Sequence, residues 1–471
     1  MDIAFRINDY RKYFIFAVAS LALLMSSIDS TIVATALPSI EKSLGAGLNW
    51  TGWVITVYQL TMMTMMPLMG RISDEWGRKR VFLACVIIFT GSSLMCALST
   101  NIYMLIFSRF LQAMGGGSLM PSAVGIVGDN FKEHRARAIG LFTSIFPLGG
   151  IIGPALGGFL LNAYSWKSIF LVNLPIGVVL IILAYVLLDK DSVATRTKVD
   201  FIGAGLFAAM IISIMYFMTR LGEGPEIAAK LNNYLLPVLS VVFLLLFLRR
   251  EKRTTTPILD LALLRNKSFA AINLLNIIYG TCVFGIAAFI PYYAQVVYGM
   301  SNLASGALLS VRAVGMMGTA AITSMLLERT GYRLPIALGF LAFALSTIGL
   351  IPFFHVSQIM GIAISDHWWL GILVFVSGVG VGLAGPPSNN AAIELMPDKI
   401  SAISGLRGMF RQTGGVFGAS FIVLVLSRNP DKTAGFSFAF LCISVLLILA
   451  LLLVKEVPDG LSAARRRQEK M

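Results

Sequence analysis

Long apolar runs separated by short charged stretches dominate the chain. A run of about 20 apolar residues is long enough to cross a bilayer as a helix. The approximate cores of the fourteen such segments, numbered 1 to 14 in chain order, are residues 14–37, 51–69, 81–99, 102–128, 137–161, 168–188, 201–219, 234–248, 269–290, 303–326, 334–353, 369–390, 404–426 and 436–454. The pattern predicts an all-α polytopic membrane protein whose first segment is a retained span, since that run is too long for a signal peptide.

The connections between these segments differ in charge. If the N-terminus is cytoplasmic, the inside connections carry 28 Lys and Arg residues and the outside connections carry 6. Because Lys and Arg are enriched on the cytoplasmic side of membrane proteins, we expect both termini to be cytoplasmic. The membrane expected is the cytoplasmic membrane of a bacterium.

Composition excludes several classes of protein. Of the 471 residues, 57% are hydrophobic and 13% are charged, whereas a soluble domain has roughly 25% charged residues. A net charge of +14 is explained by topology and by attraction to anionic lipids, so no nucleic-acid partner is expected. The histidines and cysteines lack metal-ligand spacing, and phosphate-binding and hydrolase motifs are missing, so we expect no metal, no cofactor and no enzymatic activity.

The two halves of the chain resemble each other weakly. GRISDEWGRKR follows segment 2, and SMLLERTGYRL follows segment 10, where Glu328 precedes Gly331 by three residues as Asp74 precedes Gly77. Repeated halves are typical of transporters, and a monomer is expected. The predicted units are a six-helix bundle at 1–190, two additional helices with cytoplasmic linkers at 191–267, and a second six-helix bundle with a basic tail at 268–471.

Asp29 is the most informative residue inside a predicted segment. Of the 23 acidic residues, it alone lies deep within one. A carboxylate there costs about 2.5–3.5 kcal/mol on insertion scales, so it normally faces a cavity or a partner. We expect Asp29 to carry a proton; a structural hydrogen bond or an ion pair with an arginine is the alternative.

Three arginines, Arg109, Arg312 and Arg411, also fall within predicted segments. A guanidinium keeps its charge in proteins, so each must find a carboxylate, a carbonyl or water. Arg109 is the second candidate for proton coupling, with a static structural pair as the alternative. Arg312 and Arg411, together with the acidic Glu328 and Glu394, are secondary candidates.

Segment 5 carries a glycine pattern, PLGGIIGPALGG. Gly149, Gly153 and Gly157 recur every four residues and share one helix face, which permits close approach of a neighbouring backbone. Pro154 removes a backbone donor and bends the helix. An ordinary glycine-rich packing helix has the same pattern, because Gly and Pro are common in membrane spans.

The connection after segment 2 combines glycines with charge. Gly70 and Gly77 allow a tight turn, while Asp74 and Arg78 supply opposite charges. One interpretation is that these charges form a latch, an ion pair that breaks on conformational change. The alternative is that they only reflect the enrichment of positive residues on the cytoplasmic side.

Four motifs resemble those of the major facilitator superfamily, and within it those of the fourteen-helix drug:proton antiporter subfamily. GRISDEWGRKR is similar to the loop motif of the superfamily, DSTIVATALP to the helix 1 motif of the subfamily, and RFLQAMG to its helix 4 motif. GGIIGPALGG is similar to the antiporter motif, at Gly149, Gly153, Pro154, Gly157 and Gly158. The sequence departs from these motifs at Ala113, where glycine is usual, and at Ala34, where asparagine is usual.

The resemblance implies alternating access between two six-helix bundles and export in exchange for inward-moving protons. It further implies that Asp74, Arg78 and Asp129 form a charge relay that closes the cytoplasmic side. We therefore expect a proton-coupled antiporter that exports amphiphilic, cationic compounds, with protonation of Asp29 and binding of substrate mutually exclusive. The alternatives are a dedicated exporter of one metabolite, lipid or siderophore, and a polytopic membrane enzyme.

Overall fold

The computed structural model describes residues 2–131, 138–139, 141–142, 145–188, 200–223, 231–254, 266–354, 358–359, 362–363, 365–395 and 400–458. The long helical segments of these residues, numbered in chain order, are α1 Asp2–Leu44, α2 Trp53–Trp76, α3 Arg78–Ala97, α4 Ile102–Asn130, α5 Phe146–Ala163, α6 Ser168–Leu187, α7 Phe201–Gly222, α8 Leu231–Glu251, α9 Lys267–Tyr298, α10 Asn302–Thr330, α11 Arg333–Gly349, α12 Asp366–Glu394, α13 Ile400–Arg428 and α14 Lys432–Ala450. By length and composition, 11 helices of the described residues can cross a membrane. The prediction of an all-α, multi-pass membrane protein is confirmed, with a helix number close to the one expected.

Shorter elements interrupt and connect these helices. A one-turn helix, Leu48–Thr51, precedes α2, and two-residue strands at Gln358–Ile359 and Ile362–Ala363 pair antiparallel before α12. Helix α9 contains a π-helical turn at Thr281–Ile286. Such turns are frequent at functional sites.

The tight turns after α2 and α10 occupy matching places in the two halves. Gly77 has φ +100° and Gly331 has φ +67°, a region of backbone conformation that favours glycine. Each glycine therefore ends one helix and allows the next to begin at once. The weak sequence repeat thus corresponds to a repeated backbone feature.

Hydrogen bonds define the two ends of the helix assembly. Arg11 near the start of α1 donates to the Leu187 carbonyl at the end of α6 (2.8 Å), and Arg333 at the start of α11 donates to the Val457 carbonyl (2.7 Å). At the far end of α1, Glu41 accepts a hydrogen bond from Tyr292 of α9 (3.0 Å). We call the end with Arg11, Leu187, Arg333 and Val457 the terminal face, and the end with Glu41 and Tyr292 the opposite face.

The long helices form two bundles. In the first, α1 packs against α4, α5 and α6, and α3 packs against α4 and α6; in the second, α12 packs against α10 and α11, and α9 against α13. Their outer surfaces carry exposed apolar side chains, such as Val178, Ile182 and Tyr185 on α6. Because exposed apolar surface of this extent is unfavourable in water, these surfaces face lipid.

The two additional helices lie beside the seam between α2 and α13. Trp53 of α2 donates to Thr219 of α7 (2.7 Å), while Arg428 of α13 donates to the Leu221 carbonyl of α7. Helix α8 packs on α7, and most of the residues of α8 are exposed. Helix α7 therefore contacts both bundles, and α8 faces lipid.

The bundles meet closely in the half of the molecule next to the opposite face. A Cβ on Gly158 of α5 would lie 2.7 Å from the Asn302 carbonyl oxygen of α10, and a Cβ on Gly306 would meet the Pro154 carbonyl oxygen. Gln295 of α9 donates to a backbone carbonyl of α1, at 3.3 Å. The structure is therefore closed on the opposite face.

Asp200 links the two additional helices at the terminal face. Its buried carboxylate caps α7 by accepting from the Gly203 N–H (3.0 Å), and it accepts from Arg250 of α8 (3.2 Å). Burial alone would raise the pKa of Asp200, but the hydrogen bonds from Gly203 and Arg250 outweigh burial and hold it below its usual value.

We expect Asp200→Ala to lower the free energy of unfolding by about 1 kcal/mol at neutral pH, because the cap is lost. Since the pKa is lowered in the folded state, the contribution of the ionised carboxylate is present above the ordinary carboxyl pKa of about 3.9 and is lost as the pH falls below it. Thermal unfolding of purified protein at pH 7 and near pH 3 measures both effects. The same loss of stability in acid for Asp200→Ala and the parent protein would contradict the expectation.

Candidate functional site

Asp29 of α1 lies completely buried inside the first bundle. Its Oδ2 atom accepts from Nη1 of Arg109 on α4 at 2.7 Å, and the exposed fractions of the two side chains are 0% and 1%. Of the alternatives for Asp29, the structure therefore shows an ion pair with an arginine. Because removal of a charge from water is costly, such a pair needs further hydrogen bonds to be stable.

Neutral side chains of α4 and α6 complete the environment of the Asp29 carboxylate. Oδ1 accepts from Gln112 Nε2 of α4 (2.8 Å) and from Asn173 Nδ2 of α6 (2.9 Å). Both amides also donate to the Ser93 hydroxyl of α3, at 2.7 and 3.4 Å. The carboxylate is thus held by three donors, which compensate for the loss of water.

The Arg109 guanidinium has further partners besides Asp29. It donates to Gln112 Oε1 (2.6 Å) and to the Val54 carbonyl of α2 (3.3 Å), and its carbon lies 3.9 Å from the centre of the Tyr58 ring. A cation over an aromatic face is favourable, more so when desolvated. Helices α1, α2, α3, α4 and α6 therefore meet at one charge pair.

Three successive glycines of α4 allow these helices to approach. A Cβ on Gly115 would lie 2.6 Å from the Cys85 carbonyl oxygen of α3, and a Cβ on Gly117 would lie 2.8 Å from the Met62 Cα of α2. No side chain fits at such distances. The glycines after Arg109 therefore set the distances over which the hydrogen bonds around Asp29 form.

The glycine face of α5 contacts α1 next to Asp29. A Cβ on Gly149, Gly153 or Gly157 would overlap a hydroxyl-bearing side chain of α1. The overlapped side chains are, in order, Ser27, Thr31 and Thr35. A hydroxyl group of α1 also forms a hydrogen bond across the contact, since Thr31 Oγ1 donates to the Gly149 carbonyl of α5 (3.0 Å). Helices α1 and α5 are therefore in backbone contact.

The second bundle repeats this contact. Helix α13 approaches α9 so closely that a Cβ on Gly414 would overlap the Ile277 carbonyl oxygen, and Thr281 Oγ1 donates to the Gly414 carbonyl at 3.0 Å. Thr281 therefore corresponds to Thr31. By the same register, Tyr279 of the second bundle occupies the place of Asp29.

The predicted relay is described in part. Arg78 Nη1 lies 3.1 Å from Asp129 Oδ2, and a Cβ on Gly125 of α4 would overlap the Arg78 guanidinium. Gly125 therefore provides the space in which Arg78 reaches Asp129. The environment of Gly70 and the side chains of Asp74 and Glu328 lie outside what the structure describes.

The remaining candidates lie in the second bundle. Arg312 of α10 is buried and donates to Ser377 Oγ (3.2 Å) and to the Cys282 carbonyl (2.9 Å). Arg411 of α13 lies 5.6 Å from the centre of the Phe284 ring. Glu394 is half-buried, and its Oε2 atom has no hydrogen-bond partner among the described residues.

Sequence reasoning missed Asn173 and Ser93. The signal available was the presence of amide and hydroxyl side chains inside segments that are otherwise apolar, because buried polar groups need partners. That signal does not identify the partner, which depends on how α3 and α6 pack against α1.

Comparison with known proteins identifies the class of protein that this arrangement represents. The family model described as Major Facilitator Superfamily matches residues 19–419. The chain belongs to this superfamily of membrane transporters, which confirms the expected family and indicates a transporter rather than an enzyme.

Relatives and a solved structure agree with this membership. The chain is 29% identical over 421 residues to the multidrug transporter protein MdtP of Bacillus subtilis, covering 88% of this chain and 75% of the relative. It is 26% identical over 429 residues to the riboflavin transporter RibZ of Clostridioides difficile, covering 89% and 90%. A POT family transporter solved with 5-aminolevulinic acid has a TM-score of 0.70 at 15% identity, covering 93% and 95%, which shows a shared fold.

Removing one partner of the buried pair is expected to destabilise the protein more than removing both. Asp29→Leu or Arg109→Met leaves one buried charge unpaired, which costs about 3–5 kcal/mol, whereas an apolar pair of similar volume is often neutral. A double-mutant cycle based on the thermal unfolding of purified protein measures the coupling. Additive losses in the double variant would show that the two charges do not stabilise each other.

The α1–α5 contact predicts that substitutions at two neighbouring glycines of α5 will lower the stability of the protein to different extents. Gly153→Val introduces a side chain where Thr31 Oγ1 and the Ile28 carbonyl already lie, and overpacking costs about 1–3 kcal/mol. Gly150→Ala is the matched control, because its Cβ would lie 3.9 Å from the nearest heavy atom, on Ala313. Thermal unfolding should show a loss only for Gly153→Val, and equal losses would contradict the contact.

Proposed function

We propose that this protein exports amphiphilic compounds across the bacterial cytoplasmic membrane in exchange for protons, by alternating access of its two bundles. The buried Asp29–Arg109 pair carries the proposal, because an intramembrane acid held by an arginine can exist in two charge states with different partners. Membership in the superfamily and similarity to a multidrug transporter support export of this class of compound. The proposal places both termini in the cytoplasm and takes the monomer as the transporting unit.

Protonation of Asp29 changes the balance of charge inside the first bundle. The neutral acid no longer attracts Arg109, which then becomes a buried cation without a counter-charge. The state with a proton on Asp29 therefore favours any arrangement in which Arg109 gains another partner or water. Proton binding is thus converted into a preference between conformations.

Helix α5 transmits this preference to the seam between the bundles. Its glycine face holds α1, which carries Asp29, and its Gly158 lies against α10 of the second bundle. A shift of α1 therefore displaces α5 at the contact that closes the opposite face. Packed interfaces of this kind switch between discrete arrangements rather than deforming continuously.

One proton supplies enough free energy for useful export. A charge that moves through about 100 mV releases about 2.3 kcal/mol. At about 1.4 kcal/mol per factor of ten, this supports a substrate gradient of roughly 40-fold for each proton. Tight coupling requires that protonation of Asp29 and occupancy by substrate exclude each other.

A dedicated exporter of one metabolite is the second candidate. The riboflavin transporter that this chain matches over 89% of its length favours it. A broad panel of dyes and drugs distinguishes the two, since a dedicated exporter moves one member or none. The panel should contain cations and anions, because Asp29 is neutralised by Arg109 in this structure.

The test is proton flux in liposomes that contain purified protein under an imposed pH gradient. We expect addition of a transported amphiphile to change the lumenal pH, and Asp29→Asn to reduce this response to that of empty liposomes. Asp431→Asn, which changes an exposed helix-capping acid, is the matched control and should retain the response. Size-exclusion chromatography shows whether each variant is folded. Unchanged substrate-driven proton flux in Asp29→Asn would remove Asp29 from the mechanism.

A further inference from the structure

The face of α13 that carries Arg407 and Arg411 has unused hydrogen-bond donors. The two residues are one turn apart, and the Nε atom of each is buried without a hydrogen-bond partner in the part of the chain that the structure describes. Buried polar atoms almost always have a partner, and an intramembrane charge normally marks a binding site or pathway. These donors therefore require an explanation.

The two guanidiniums belong to a positively charged region of the second bundle. Arg411, Arg407 and Arg312 all lie within electrostatic range of the Tyr279 hydroxyl. Tyr279 corresponds to Asp29 of the first bundle, where a carboxylate balances the single arginine. In the second bundle Tyr279 places no carboxylate at this position, and no carboxylate of the described residues forms an ion pair with Arg312, Arg407 or Arg411.

The same face of α13 points toward the first bundle. Gly415 lies one turn beyond Arg411, and its Cβ would lie 3.3 Å from Gln59 Oε1 of α2. Thr413, on another face of α13, donates to the sulfur atom of Met63 on α2, at 3.0 Å. Arg411 and Arg407 lie on the same face of α13 as Gly415, one and two turns closer to the terminal face.

No described carboxylate neutralises these guanidiniums. Within the described ranges, neither Arg407 nor Arg411 forms an ion pair, and half-buried Glu394 forms none with them. Asp29 is already paired with Arg109. Like charges one helical turn apart repel each other, and Arg407 and Arg411 have this spacing on α13. A bound anion would remove this repulsion.

We propose that Arg407 and Arg411 bind the carboxylate, sulfonate or phosphate group of an amphiphilic substrate, whose apolar part packs toward Phe284. The planar guanidinium fork matches such oxyanions and pairs with them through two hydrogen bonds. This inference rests on the proposed export function and assigns its substrates a negative group, in contrast to the cationic group expected from the sequence.

Two dyes with the same xanthene core test the sign of the substrate charge: anionic fluorescein and cationic rhodamine 6G. Fluorescence polarisation measures their binding to the full chain in nanodiscs of phosphatidylcholine. We expect tighter binding of fluorescein, and a loss of about tenfold or more in its affinity for Arg411→Gln and for Arg407→Gln, because a hydrogen bond to a charged group is lost. Arg411→Lys keeps the positive charge but loses the planar guanidinium. Its affinity for fluorescein should lie between that of the parent protein and that of Arg411→Gln.

Arg329→Gln is the matched control, because it removes one positive charge from the exposed end of α10 and leaves α13 unchanged. Fluorescein affinity should be the same in this variant as in the parent protein. Size-exclusion chromatography of each variant shows that any loss is not caused by unfolding.

Three results would overturn the inference: tighter binding of rhodamine 6G than of fluorescein, unchanged fluorescein affinity in both glutamine variants, or an equal loss in Arg329→Gln. A separate set of nanodiscs with phosphatidylglycerol distinguishes a lipid headgroup from a free anion. If the glutamine variants lose only retention of phosphatidylglycerol, the site holds lipid and the assignment of substrate charge is wrong. Dye binding does not require transport, so failure of proton exchange with every amphiphile would contradict the proposed function and leave this result standing.

Discussion

The central constraint in this protein is that a charge inside a membrane protein must have a partner. Asp29 meets it with a guanidinium and an amide from α4 and a second amide from α6, and Arg109 meets it with the carboxylate, a backbone carbonyl and an aromatic ring. These contacts need α2, α3, α4 and α6 at short distances from α1, which is why α4 carries glycines where its neighbours cross. The arrangement of the first bundle is thus organised around one ion pair.

The two halves of the chain share the same helix contact but differ in the charge of the side chain next to it. Both bundles use a glycine face against a threonine-bearing helix, with a matching hydroxyl-to-carbonyl hydrogen bond of 3.0 Å in each. Only the first bundle places a carboxylate next to that contact, whereas the second places Tyr279 there. Equivalent backbones therefore carry side chains of different charge in the two bundles.

Much of this architecture is predictable from the sequence, because the signals are strong and local. The apolar runs predict the helices, Asp29 stands out as a lone acid in a span, and the four-residue spacing of Gly149, Gly153 and Gly157 predicts a close contact. The identity of the contacting helix is not encoded locally, so Asn173 could not be linked to Asp29 before the fold was known. Arg407 was missed because it lies at the edge of a predicted segment. A positive charge at that place is expected from the enrichment of Lys and Arg in the inside connections, so it did not indicate a site.

Helix α7 makes the two lateral seams of the molecule unequal. Its contacts with Trp53 on one bundle and Arg428 on the other lie near the opposite face, and α8 adds a second layer on the lipid side. Two layers of additional helices, α7 and then α8, therefore cover the α2–α13 seam on the lipid side, whereas these two helices do not cover the α5–α10 seam. The α2–α13 seam is therefore the more deeply covered of the two, and α7 links the two bundles near the opposite face.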